Sequence, residues 1–148
     1  MSTFADSSAL VKLYADEDGA DDVRGLGPVV VSKLCRVEVP AALWQKQRMG
    51  ELDATEAQAL TAEFEADLFG DGVGPARFVV VATSATVLDD AARLCAVHGL
   101  RAYDAVQLAT AIAAWSADPA SGTFAVFDRA LRRAASAEGF MLVPAAVT

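Results

Sequence analysis

An α/β fold on a parallel sheet is the class this chain predicts, from three features of its 148 residues. Strand-like and helix-like segments alternate from one end to the other, which calls for helices crossing between neighbouring strands. The strand-like segments are short, rich in Val and Phe, and apolar without interruption, as strands covered on both faces are. Hydrophobic residues make up 54% of the chain and charged ones 22%, enough apolar surface for a packed core and too much for disorder. A chain of this length buries roughly 70% of the surface it would expose unfolded. The reading is one domain over residues 1–148.

The predicted strands are Thr3–Ala5, Val29–Val31, Phe78–Ala82, Phe124–Phe127 and Phe140–Val143. Helices are expected over Ser7–Tyr14 and, more briefly, near Ala20–Leu26. Leu34, Val37, Ala41 and Trp44 recur at helical spacing and predict a long helix reaching Met49-Gly50. Pro40 inside it removes one backbone donor, so a kink or a start close to Glu38 is expected. Ala54–Leu68 follows. Ser84 can cap a helix that runs to His98, with Gly99 just past its end. Tyr103–Trp115 and Arg129–Ala137 complete the set. The breaks at residues 69–75 and 116–122 are short enough to be connections.

Four acids stand where an acid needs a reason. Asp6 follows Thr3-Phe4-Ala5, Glu38 interrupts an apolar run, Asp104 opens a nearly uncharged helix, and Asp128 ends Phe124-Ala125-Val126-Phe127. Each has an ordinary explanation. Asp6 and Asp128 can cap helices, Asp104 complements a helix dipole, and Glu38 can pair with Arg36 or Lys33. Two facts weigh against four coincidences. Asp6 and Asp128 both lie at the carboxyl end of a predicted parallel strand, the edge where open α/β sheets form sites. Asp104 is the only charge between Arg101 and Asp118, and a charge beside an apolar helix is costly without compensation.

Gathered together, these acids would make a pocket for a hard cation. Two carboxylates about 5 Å apart repel by roughly 3 kcal/mol at an effective dielectric near 20. Mg²⁺ or Mn²⁺ relieves that repulsion, takes oxygen ligands and keeps several waters. A retained water can be deprotonated to attack phosphorus while the metal offsets charge on the phosphate and leaving oxygen.

The same segments resemble the motifs of PIN-domain endoribonucleases, specifically the VapC toxins of bacterial toxin–antitoxin pairs. Phe4-Ala5-Asp6-Ser7-Ser8-Ala9-Leu10-Val11-Lys12-Leu13-Tyr14 is similar to the first motif, and Arg36-Val37-Glu38-Val39-Pro40-Ala41-Ala42-Leu43-Trp44 to the second. Gly99-Leu100-Arg101-Ala102-Tyr103-Asp104-Ala105-Val106-Gln107-Leu108-Ala109 is similar to the third, the most specific, and Phe124-Ala125-Val126-Phe127-Asp128-Arg129-Ala130-Leu131 to the fourth. The match runs in order from about residue 3 to 143. It implies a three-layer α/β/α fold with a five-stranded parallel sheet, and a Mg²⁺-dependent RNA-cleaving site in which Mn²⁺ can substitute. By position, Asp6 and Asp104 would be the main metal ligands, with Glu38 and Asp128 completing the catalytic set. The family commonly has Thr or Ser two residues before the last acid, where this chain has Val126. The resemblance further implies a homodimer, held inactive by a cognate antitoxin in a type II toxin–antitoxin system.

The remaining features narrow the field. The net charge of −8 argues against nucleic-acid binding by overall attraction, so RNA contact must rest on a local basic patch, a metal or a basic partner. Candidate backbone contacts are Lys12, Lys33, Arg36, Arg101, Arg129, Arg132 and Arg133. His98 is the sole histidine, which removes His-based RNA hydrolysis and Ser-His-Asp triads from contention. The cluster Asp16-Glu17-Asp18 with Asp21-Asp22 reads as a solvated face. Trp44 and Trp115 are expected in the core. Cys35 and Cys95, with no Cys or His at metal-site spacing, read as buried thiols of a reduced cytoplasmic protein. The opening residues, with Asp6 among them, do not read as a basic-then-apolar leader, so none is expected, and the longest weakly polar stretch is too short for a bilayer. The competing reading is a PIN-like or receiver-like module that binds a cation without turnover; the complete acidic quartet favours the enzyme.

Overall fold

The computed structural model describes residues 1–147, which form five strands and seven helices. In chain order these are β1 (Thr3–Ala5), α1 (Ser7–Val11), α2 (Ala20–Arg24), β2 (Val29–Ser32), α3 (Cys35–Arg48), α4 (Ala54–Phe69), β3 (Phe78–Val81), α5 (Ala85–His98), α6 (Ala102–Ala117), β4 (Thr123–Ala125), α7 (Arg129–Ala137) and β5 (Met141–Val143). The strands make one parallel sheet in the order β3-β2-β1-β4-β5.

β1 is central. From it the chain builds outward through β2 and β3 on one side, then through β4 and β5 on the other. The carboxyl ends of β1 and β4 therefore flank a topological switch point, the place where open α/β sheets form crevices. Ala5 is in register with Ala125, and the Asp6 amide donates to the Ala125 carbonyl at 3.3 Å. The edge that follows these residues carries the acids.

The uninterrupted apolar character of β1, β2 and β4 follows from two cores. Successive side chains of a strand point to opposite faces. Phe4, Val30 and Phe124 pack with Leu94 of α5, Leu108 of α6 and Leu131 of α7. Ala5, Val31 and Ala125 pack on the other face with Leu10 of α1, Val39 and Leu43 of α3 and Phe64 of α4. Helices thus cover both faces, giving three α/β/α layers. The Phe4 and Phe124 rings meet edge to face at 5.1 Å, and both side chains are fully buried. Truncating either to Ala would cost about 3–5 kcal/mol.

Element boundaries differ from expectation where caps and packing intervene. α1 stops at Val11 rather than Tyr14, and Lys12, Leu13 and Tyr14 continue in tighter turns, each amide bonded three residues back. β4 ends at Ala125: the Val126 amide still donates to the Val143 carbonyl at 3.0 Å, but Phe127 turns away into the α7 cap. Gly99 ends α5 in the left-handed region, φ +66°, as its position suggests. Among the described residues no helix is long and apolar enough to cross a membrane.

The stripe expected on α3 is not the one it buries. Packing against α1 and α4 selects Cys35, Val39 and Leu43, while Val37 is 69% exposed and Trp44 only half-buried. This helix is apolar on more than one side, so spacing alone does not choose the face. Nor does Pro40 start the helix, which begins at Cys35. Pro40 lies in its second turn, where the missing N–H would have met the exposed Arg36. Trp115 and Cys95 are likewise half-buried, whereas Cys35 is buried as expected.

Candidate functional site

Asp6 is both a helix cap and a buried charge. The turn from β1 into α1 leaves it extended, at φ −74° and ψ 171°, so its Oδ1 accepts from the Ala9 amide at 2.9 Å. The Ser8 hydroxyl donates to the same carboxylate, 3.1 and 3.0 Å from its two oxygens. The residue is 5% exposed. Burial pushes its carboxyl up to about 7; the Ala9 amide and Ser8 hydroxyl restrain the rise, and the negative charges of Asp104 and Glu38 add to it. Glu38 and Asp104, 32 and 98 positions away in sequence, therefore both act on Asp6.

Glu38 pairs with neither Arg36 nor Lys33. It lies in the first turn of α3, and its Oε1 accepts from the Ser7 hydroxyl at 2.9 Å and from the Gln107 amide at 2.8 Å. Gln107 also donates to Ser7 Oγ at 3.0 Å, closing a ring among α1, α3 and α6. Both bonds to Glu38 fall on Oε1, which leaves Oε2 for a ligand. Sequence reasoning passed over Ser7 and Gln107 as site residues. The available signal was Gln107 itself, an amide on a helix otherwise nearly apolar.

Asp104 occupies the first turn of α6, where its Oδ2 lies 3.2 and 3.4 Å from the Arg101 guanidinium nitrogens. Its side chain is 23% exposed, and that of Arg101 is 84% exposed. Asp128 is exposed, its Oδ2 accepts from the Leu131 amide at 2.9 Å, and it caps α7. Val126, two residues earlier, is wholly buried in the α5–α7 core.

The donor set suits a hard divalent cation: carboxylate oxygens, one of them buried and raised by its neighbours, whose repulsion a cation would relieve. As the side chains stand, no three His, Cys, Asp or Glu residues among those described converge closely enough to hold a metal ion. Asp104 is engaged by Arg101, and Glu38 by Ser7 and Gln107.

Several basic candidates are engaged within the fold. Lys12 pairs with Glu17 at 3.0 Å and donates to the Asp18 carbonyl at 2.7 Å, with its ammonium 4.4 Å from the Phe127 ring centre. Lys46 binds the other Glu17 oxygen, so Glu17 belongs to a half-buried network and not to a solvated face. Arg132 is 7% exposed and donates to the Val126 and Pro144 carbonyls, each at 2.7 Å. Arg36 pairs with Glu65 at 3.6 Å. Lys33, Arg129 and Arg133 are exposed.

Comparison with known proteins bears on this arrangement. A family model described as "PIN domain" matches residues 3–137. Two relatives from Mycobacterium tuberculosis, Ribonuclease VapC45 of strain CDC 1551 / Oshkosh and Ribonuclease VapC49 of strain ATCC 25618 / H37Rv, are each 36% identical over 146 residues. Each alignment covers 96% of this chain and 94% of the relative. Among solved structures, PAE2754 from Pyrobaculum aerophilum matches at a TM-score of 0.61 and 23% identity, over 97% of this chain and 84% of that one. FitAcB from Neisseria gonorrhoeae matches at 0.58 and 15%, over 95% of each. At those identities the two structures bear on the fold alone.

Proposed function

Because this chain belongs to the PIN-domain family, among its VapC-type members, we propose that it is a Mg²⁺-dependent endoribonuclease and the toxic component of a type II toxin–antitoxin system. Residues 1–148 form its one PIN domain. The observation that carries the reading is the buried Asp6 carboxylate at the carboxyl edge of the central strand, under the negative field of Glu38 and Asp104. The name ribonuclease, borne by both M. tuberculosis relatives, supports the reaction class.

In this reading Asp6 and Asp104 hold the cation, and Glu38 presents its Oε2 beside them. Mg²⁺, or Mn²⁺ in its place, supplies positive charge at the scissile phosphate and favours ionisation of the attacking water. The chain's own part is preorganisation. The Ala9 amide and Ser8 hydroxyl orient Asp6, and Ser7 with Gln107 fixes Glu38. Asp128 completes the catalytic set at the rim, where its exposure suits contact with the incoming RNA or its water. Among the candidate contacts, Lys33, Arg129 and Arg133 are exposed and available to the RNA backbone, as is Arg101 beside Asp104. The protein acts in the cytoplasm as a homodimer, and a cognate antitoxin covers the acidic edge.

The test is cleavage of mixed RNA by the purified chain in Mg²⁺, in Mn²⁺ and in chelator. Cleavage in both metals and none in chelator is the expected result. Cation binding without cleavage would instead identify a PIN-like or receiver-like binding module. Cleavage undiminished by chelator would overturn the metal-dependent reading.

A further inference from the structure

We infer that Gln107, acting partly through Ser7, is the positioning residue that aims Glu38 into the acidic pocket. The inference rests on the proposed function for what the pocket does, but not for where Glu38 points. Gln107 is 3% exposed and sits mid-helix on α6, one turn beyond Asp104, so its side chain is aimed by the same helix that carries that acid. Its single amide nitrogen reaches Glu38 Oε1 at 2.8 Å and Ser7 Oγ at 3.0 Å. Ser7 accepts from Gln107 and donates its own hydroxyl hydrogen bond to the same Glu38 oxygen at 2.9 Å. One carboxylate oxygen is thus held by two donors from two other helices, and rotation of Glu38 out of the pocket would break both bonds.

The amide serves this geometry at a cost to the core. Gln107 Oε1 is buried and has no hydrogen-bond partner, and an unpaired buried acceptor is destabilising. Turning the amide over would satisfy nothing, since it would set a carbonyl oxygen against the Glu38 carboxylate. A residue kept only for packing at this position, with Leu108 and Ala111 buried beside it, would be apolar. The orientation of Glu38 is what an amide supplies here and a leucine does not.

Gln107→Met keeps the length and volume while removing both donors. Circular dichroism checks that it folds, and Ser7→Ala provides a second, smaller perturbation of the same ring. Calorimetric titration with Mn²⁺ alone should give a dissociation constant raised about tenfold in Gln107→Met and less in Ser7→Ala. In RNA cleavage kcat should fall by a similar factor with KM unchanged, because Gln107 is buried and touches no substrate. In a Glu38→Gln background, Gln107→Met should add almost nothing to the Mn²⁺ loss, since its effect passes through Glu38. Crystal structures of the wild type and Gln107→Met read the Glu38 side chain directly, and it should have left its wild-type rotamer. An unchanged rotamer, or an additive double variant, overturns the inference. A wild type that binds no Mn²⁺ sinks the proposed function, and the rotamer comparison then still decides the role of Gln107.

Discussion

Arg101 and Asp104 face each other across the first turn of α6, with the guanidinium 3.2 Å from the carboxylate. The acid proposed to bind a cation is thus shared with a cation of the chain itself. An exposed pair of this kind contributes about 0–1 kcal/mol. Arg101→Gln should therefore tighten Mn²⁺ binding by up to about fivefold, read by calorimetry, since Asp104 no longer divides its charge. If Arg101 also meets the RNA backbone, KM for cleavage should rise in the same variant. Weaker Mn²⁺ binding would show that the pair orients Asp104 and does not compete for it.

Asp104→Asn separates catalysis from folding. It removes one of the negative charges that push Asp6 upward. Cleavage should fall by more than about 100-fold. In chelator the melting temperature should rise by about 2 °C or more, the equivalent of somewhat under 1 kcal/mol in a domain of this size. A variant that cut RNA at the wild-type rate would remove Asp104 from the site.

The Asp6 carboxyl predicts an acid-favouring stability profile in metal-free buffer. Its value in the folded protein, about 7, lies above the ordinary 3.8, so the folded state holds the proton more tightly than the unfolded chain. The stability due to that proton is complete below about pH 4 and is lost as the pH rises through about 7. The full change corresponds to about 4 kcal/mol. Urea unfolding in chelator at intervals from pH 5 to 8 should show the decline, and Asp6→Asn should flatten it. Saturating Mg²⁺ should also flatten it, by favouring the carboxylate in the folded protein. A wild-type profile as flat as that of Asp6→Asn would show that the buried carboxyl is compensated in some other way.

The two thiols should differ in reactivity. Burial pushes the Cys35 thiol up to about 12, and the neighbouring Glu38 charge adds to this, so almost no thiolate forms at pH 8. Cys95 is half-buried. A disulfide reagent at pH 8 should modify Cys95 in the native protein and reach Cys35 only after denaturant is added. Mass mapping of the modified peptides tests the order, and early labelling of Cys35 would contradict it.

The acids show where sequence reasoning carries and where it stops. Asp6, Ser84 and Asp128 were legible as helix caps, because a cap is a local contact, three residues long, that residue type and spacing reveal. The inner strands β1, β2 and β4 were legible because both of their faces are covered, which leaves a run of apolar residues with no alternation, whereas Val79 and Val80 of β3 and Met141 of β5 are apolar yet exposed. The buried face of α3 was not legible. Val37 and Val39 are both valines two positions apart, yet one is 69% exposed and the other wholly buried. Only the neighbours α1 and α4 distinguish them.

From the chain alone came the α/β class, the strand-end placement of Asp6, and the oddity of Asp104 beside an apolar helix; Asp128, expected at a strand end, lies three residues beyond β4. These depend on periodicity and on the cost of an uncompensated charge, both of which act over a few residues. The tertiary structure decided which acids feel one another. Asp6 lies in the combined field of Glu38 and Asp104, while Asp128 faces solvent as a helix cap. It alone also revealed the ring of Ser7, Glu38 and Gln107, whose members are 31, 69 and 100 positions apart. Hydrogen bonds and carboxylate repulsion depend on distances of a few ångströms, and across such separations only the packing of helices on the sheet sets those distances.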